Sequence, residues 1–320
     1  VAEAARGRGS VSQFDAWRHR FTLFLVASTL ALIFAGGLVT STESGLAVPD
    51  WPLSYGMLMP PMVGGVFYEH GHRMVATFVG FLTLVLAFWT WRRESRPGVR
   101  RLAWAALAAV CAQGALGGLT VIFLLPTAIS VAHALLAQTF FLITIALAYV
   151  TSREWLGTSE PEEDAGGVRP AAYLVTGVVY LQLFLGALMR HLDAGLAIPD
   201  FPLAFGHLVP PLQDPRVAVH FAHRLGALGV LAVVGRLVVC AYRGGDVRFA
   251  RPARLLALLV LAQAGLGASV IWTGKAVYPT TAHVATGAAV LGLSFFVGLR
   301  AHRSLRRRAS TAGLPLPVGS

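Results

Sequence analysis

Gly45-Leu-Ala-Val-Pro-Asp-Trp-Pro-Leu-Ser-Tyr-Gly56 returns later in the chain as Gly195-Leu-Ala-Ile-Pro-Asp-Phe-Pro-Leu-Ala-Phe-Gly206, an offset of 150 positions (45 to 195). Histidines keep the same spacing. His133 and His283 stand 150 apart, and the pairs His72-Arg73 and His223-Arg224 stand 151 apart. The chain is therefore two related halves, each bringing two histidines to an equivalent place. Matched histidines in duplicate point to two sites for iron-porphyrin or another metal.

The rest of the chain says where those halves reside. Of 320 residues 56% are hydrophobic and only 13% charged, about half the charge of a soluble domain. Apolar runs of about 20 residues, long enough to cross the hydrocarbon core, recur eight times. They read as Phe21–Val39, His72–Trp91, Leu102–Leu124, Ala128–Val150, Ala171–Met189, Val217–Ala241, Leu255–Trp272 and Thr281–Leu299. Helices are required, because each backbone amide must be satisfied within its own segment. The first run is too long, and too well matched to the repeat, for a cleaved leader. An all-α membrane protein is expected: eight transmembrane helices as two pseudo-symmetric four-helix bundles. Residues 1–20 form an arm, 21–150 the N-terminal bundle, 151–170 a linker, 171–300 the C-terminal bundle and 301–320 a basic tail. Both halves run the same way, so their symmetry axis is expected along the membrane normal.

A net charge of +11 raises the question of nucleic acid. Its distribution answers with lipid. Arginines crowd the N-terminal arm, the second, fourth and sixth loops and the tail, while the intervening loops are nearly free of them. This positive-inside bias puts both termini in the cytoplasm of a cell-membrane protein, its basic arms on anionic headgroups. Cys111 and Cys240 lie at different depths and read as small core residues rather than a disulfide.

The repeated phrase falls in the long first and fifth loops, on the outer side. Its prolines forbid continuous helix, and Asp50 and Asp200 suit tight turns. The loop is either a rigid cap or one wall of a ligand site; Trp51 and Tyr55 suit either an interfacial anchor or a pocket wall. Gln113 and Gln263 form another repeated pair, with Gly117 and Gly267 four residues on, read first as close helix packing.

His72, His133, His223 and His283 each fall near the outer start of an even-numbered helix, within about 10 Å of the boundary at about 1.5 Å per residue. Four histidines at matched positions and common depth favour haem ligation over packing. There is no Cys-x-x-Cys-His for covalent attachment, so a b-type haem is indicated. Arg73 and Arg224 beside the ligands either pair haem propionates or reach phosphate headgroups; Arg190 is a further propionate candidate. The alignment favours His72 over His70 and His223 over His220. One asymmetry stands out. Glu69 precedes His72 by three residues, whereas His220 precedes His223 by three, so only the first half places a carboxylate by its histidine. That points to different jobs for the two halves.

With these motifs in hand, the chain resembles the haem A synthase family, from the first helix through the eighth. The resemblance rests on the doubled loop phrase, on Glu69 with His72-Arg73, on His223-Arg224 and on His133 and His283. It implies oxidation of the C8 methyl of haem O to the formyl of haem A, by successive hydroxylation and dehydration. It implies haem b on His223 and His283 in the C-terminal bundle, relaying electrons. Substrate haem would lie near His72 and His133, with Glu69 steering protons or stabilising positive charge. Haem O synthase, cytochrome oxidase assembly factors and a quinone would be partners. Many members carry a cysteine pair in the first outer loop; residues 40–71 here have none. Met189-Arg190-His191 replaces Val39-Thr40-Ser41, so the two outer loops are not interchangeable. The rival readings are a dihaem cytochrome b carrying electrons to or from quinone, and a transporter built on the repeat. The one-sided Glu69 disfavours the first, and polar residues confined to one rim disfavour the second.

Overall fold

The computed structural model describes residues 14–157 and 167–311, with side chains described as far as residue 303. Eight long helices and one short one follow the apolar runs: α1 (Ala16–Ser41), α2 (Gly65–Arg93), α3 (Pro97–Ile122), α4 (Thr127–Val150), α5 (Arg153–Leu156), α6 (Val168–His191), α7 (Pro215–Arg243), α8 (Val247–Trp272) and α9 (Val277–Thr311). All but α5 are long and apolar enough to cross a membrane. Among the described residues there is no strand, only two isolated bridges at equivalent points of the repeat, Ser54 with Met57 and Ala204 with His207.

Each half closes on itself. Helix α1 packs on α2, α2 on α3, α3 on α4 and α4 back on α1; α6 to α9 repeat that cycle. The halves meet through α1 against α9 and α4 against α6 and α9, a crossed pattern that a two-fold relation produces. Gly37 on α1 lets the backbone approach Thr281 and Val284 of α9. Ile33, Phe141 and Ala288 form a small apolar core there.

The tightly packed apolar cores lie toward the arginine-rich ends. In the first half the core includes Leu25, Val79, Leu82, Leu86, Ala103 and Phe140; in the second it includes Val175, Val230, Val234, Leu256 and Leu291. Val79 and Val230 each follow their helix's ligand candidate, His72 or His223, by seven residues, about 10 Å of helix. The histidines therefore occupy the half of each bundle that carries the repeated loop, away from the packed apolar cores.

Helix starts differ from the sequence expectation. Helix α2 begins at Gly65 rather than His72, so His72 lies in its third turn and not in its first or second. Helix α7 begins at Pro215, with Asp214 accepting the Arg216 amide as its cap. Proline is excluded from a helix interior but not from its first turn, so Pro215 opens α7. The expected linker contains α5, which docks on α9: Arg300 Nε and Nη2 donate to Glu154 at 2.7 and 2.6 Å. The expected tail begins as helix, because α9 continues to Thr311; most of the N-terminal arm, residues 158–166 of the linker and the end of the tail lie outside the described residues. At the same end Glu94 accepts from Arg96 at 2.9 Å and pairs with buried Arg18 at 3.0 Å. Burial disfavours the Glu94 carboxylate, but the Arg96 hydrogen bonds and the Arg18 charge outweigh it and bring its pKa down to about 2. Both cysteines are free; Cys240 packs against the second core as expected, whereas Cys111 is exposed on α3 and is not a core residue.

Candidate functional site

The repeated phrase folds into the same outer loop twice, and its residue types say why. The Asp50 carboxylate accepts the Tyr55 and Gly56 amides at 2.6 and 2.8 Å; Asp200 accepts Phe205 and Gly206 at 2.7 and 2.8 Å. Gly56 and Gly206 turn with φ of 69° and 76°, a region where a side chain is strained. Trp51-Pro52 and Phe201-Pro202 are both cis. The loop lies back on the bundle rim, with the Trp51 ring against Gly118 of α3.

Arg73 and Arg224 fasten this cap. Arg73 donates to the carbonyls of Asp50 at 2.8 Å and Leu53 at 3.0 Å, and to Glu69 Oε1 at 2.6 Å. Arg224 donates to Leu203 at 2.9 Å, Asp200 at 2.7 Å and Ile198 at 3.2 Å. The guanidinium forks expected to reach propionates or headgroups are occupied with loop carbonyls. A folded-back loop offers several converging acceptors, which satisfy a planar fork at the rim. Arg190 donates to the carbonyl of Thr40, its own counterpart in the repeat, and so joins the two halves.

Glu69 is buried. Its Oε2 accepts the Val48 amide at 2.7 Å, while its Oε1 pairs with Arg73. His220, at the equivalent place, takes the equivalent amide of Ile198 on Nδ1 at 3.3 Å. His70 instead meets Ser54 Oγ at 2.8 Å through Nδ1. Both histidines set aside in the sequence thus serve the outer loop.

The four ligand-candidate histidines share one device. Each imidazole lies against a glycine of a neighbouring helix: His72 on Gly36, His133 on Gly117, His223 on Gly186 and His283 on Gly267. A Cβ on any of these glycines would come within 3.1–3.2 Å of the ring's Cε1. The spacing of Gly117 and Gly267 read as helix packing; the notch receives a ring instead. Gly36 and Gly186, also 150 apart, carried the same signal.

In the second half the His223 and His283 rings lie with centroids 6.4 Å apart and planes inclined at 62°. A metal–imidazole bond is about 2.0–2.1 Å and the centroid lies about 1.1 Å behind the nitrogen, so a separation of about 6 Å is one at which both rings could hold a single iron. His283 Nδ1 lies 3.1 Å from the Gln263 carbonyl. A carbonyl only accepts, so the proton is on Nδ1 and Nε2 keeps its lone pair for a metal. The Gln263 amide donates to the His283 carbonyl at 2.9 Å, as Gln113 does to His133. The first half provides His72 and His133 with buried Nδ1 atoms that have no partner among the described residues.

The COX15-CtaA family model, described as cytochrome oxidase assembly protein, matches residues 63–295. The chain is 35% identical over 225 residues to the heme A synthase of Symbiobacterium thermophilum, covering 66% of this chain and 72% of that protein. It is 31% identical over 268 residues to the heme A synthase of Halalkalibacterium halodurans, covering 79% and 86%. The chain belongs to the heme A synthase family. The heme A synthase of Geobacillus thermodenitrificans aligns at 29% identity over 91% of this chain and 94% of its own length. Within this family member, the matched region holds the second repeated loop, six of the eight spans whole with most of the last, and all four glycine-cradled histidines.

Proposed function

We propose that this chain is a haem A synthase, oxidising the C8 methyl of haem O to the formyl group of haem A. The observation that carries the reading is a duplicated pair of glycine-cradled imidazoles with a buried carboxylate, Glu69, beside only one pair. Substrate haem O is taken between His72 and His133 in the first half. In the second half His223 and His283 would hold haem b, and their separation and neutral donors fit it. When bound, that group supplies one-electron relay to the first half.

The protein's own part is to bind, orient and exclude water. Outer loops fastened by Arg73 and Arg224 cover the rim of each bundle, and the apolar cores seal the opposite end. His72 and His133 orient the porphyrin. Both Glu69 oxygens are committed, to Val48 and to Arg73, so Glu69 acts through its fixed negative charge on positive charge developing nearby. The arginine distribution supports a cytoplasmic-membrane location with both termini inside. Haem O synthase and cytochrome oxidase assembly factors are the expected protein partners, and a quinone is one candidate for the electron partner.

The test is pigment extraction from membranes supplied with haem O. Haem A, or its hydroxylated precursors, appears when the chain is present and is absent without it. Haem B alone in both sites would mark an electron-carrying cytochrome and overturn the reading.

A further inference from the structure

Behind His223 stands a side chain that has no equivalent behind His72. Gln182 on α6 reaches across to α7: its Nε2 lies 3.1 Å from His223 Nδ1 and donates to the His223 carbonyl at 2.8 Å. Gly226, one turn beyond His223, makes the space. A Cβ at that position would collide with Gln182 Oε1. The same two places in the first half are Leu32 and Val75. A polar side chain and the notch that admits it therefore occur together, and only in the second half.

An imidazole that binds iron through Nε2 carries its proton on Nδ1. An acceptor for that proton fixes the ring's rotation and makes Nε2 a stronger donor. His283 has such an acceptor in the Gln263 carbonyl. We infer that Gln182 is the corresponding positioning residue for His223. It makes the second half a site that retains its porphyrin, while the first half, with Leu32 and Val75, is a site that exchanges it. This rests on the reading that the second half holds haem b. With iron on Nε2, the Gln182 amide has to turn over and draw away from the His223 carbonyl, so that Oε1 meets the Nδ1 proton without facing a second acceptor. The His223 carbonyl keeps its partner in the α7 ladder. Nothing plays this part for His72, whose Nδ1 is buried without a partner among the described residues. A ring held only by its glycine notch is easier to detach, as a site that must release a product requires.

The experiment uses the full chain purified in detergent with its haem, and reads haem transfer to excess apomyoglobin together with the midpoint potential of the low-spin haem. Gln182→Leu, which installs the first half's own residue, speeds haem loss about 10- to 100-fold and raises the midpoint. Gln182→Glu retains the haem and lowers the midpoint, because a carboxylate is the stronger acceptor. The converse pair Leu32→Gln with Val75→Gly slows release of porphyrin from the first half. Wild-type loss rate and midpoint in Gln182→Leu would overturn the inference. Should that variant fail to fold, an unmoved midpoint in Gln182→Glu overturns it equally. A wild-type protein without any low-spin haem would instead overturn the assignment of haem b to the second half, an outcome visible before any variant is made.

Discussion

Glu69 accepts the amide of Val48 at 2.7 Å, and His220 gives the same service to Ile198 at 3.3 Å in the other half. The loop anchor is conserved through the repeat while the charge is not. A residue needed only to hold the loop could be histidine in both halves; the ion pair with Arg73 at 2.6 Å exists in one.

That relationship separates two roles of Glu69. Glu69→His copies the second half, keeps an acceptor for the Val48 amide and leaves the b-type absorbance intact. It stops haem A formation, as does Glu69→Ala. Pigment analysis of membranes supplied with haem O reads the outcome. Normal conversion by Glu69→His would reduce Glu69 to a loop anchor.

The imidazole pairs are predicted to separate by spectrum. His223→Ala or His283→Ala removes the low-spin b-type absorbance of the purified protein, because one ring of a pair 6.4 Å apart is lost. His72→Ala and His133→Ala leave that absorbance and abolish conversion. A normal low-spin spectrum in His283→Ala would eliminate it as a ligand.

The glycine notches make a sharper prediction, because a methyl group tests geometry without removing a ligand. In Gly186→Ala and Gly267→Ala the new Cβ stands 3.1 Å from the ring carbon of His223 or His283. Overpacking costs about 1–3 kcal/mol, and the helix propensity of alanine returns about 1 kcal/mol. Global stability therefore changes little, while the displaced ring shifts the low-spin spectrum and weakens haem retention about tenfold, on the scale of other changes to a ligand's support. Gly36→Ala and Gly117→Ala leave the spectrum unmoved and lower turnover. Identical spectra in all four variants would show that the rings have room to move.

Much of this was legible before any coordinates. Eight apolar runs, a repeat of 150 positions and four matched histidines lead to the helices and to the site, since hydropathy and repetition are properties of the chain itself. What escaped reading depends on contacts between helices. Gly36 and His72 lie on α1 and α2, Gly117 and His133 on α3 and α4, and no spacing within one helix reveals that each glycine faces a ring. Gln182 is inconspicuous among apolar neighbours until Gly226 is seen beneath it. Arg73 and Arg224 were legible as charges at the rim, but their partners are backbone carbonyls, which every residue has and no sequence marks.

The same carbonyl-rich cap yields a prediction about pH. The Gly56 amide, with that of Tyr55, holds the Asp50 carboxyl below its ordinary value; the Gly206 and Phe205 amides do the same for Asp200. A carboxyl depressed in the folded state stabilises the loop above the ordinary carboxyl range, and the contribution is lost as pH falls through the lowered value. The outer loops are thus intact at neutral pH and loosen below about pH 4, with no such change between pH 5 and 8. Limited proteolysis by a protease active from pH 3 to pH 7, its rate on an unfolded substrate divided out at each pH and the protein held in lipid discs, reads this as cleavage within residues 49–61 and 199–211 that rises on acidification. Asp50→Asn and Asp200→Asn keep an acceptor but lose the charge, so their loops are cleaved faster at neutral pH and respond little to acid. If wild-type cleavage is flat from pH 7 to pH 3, these carboxylates do not hold the cap, and the arginine clamps alone must account for its fold.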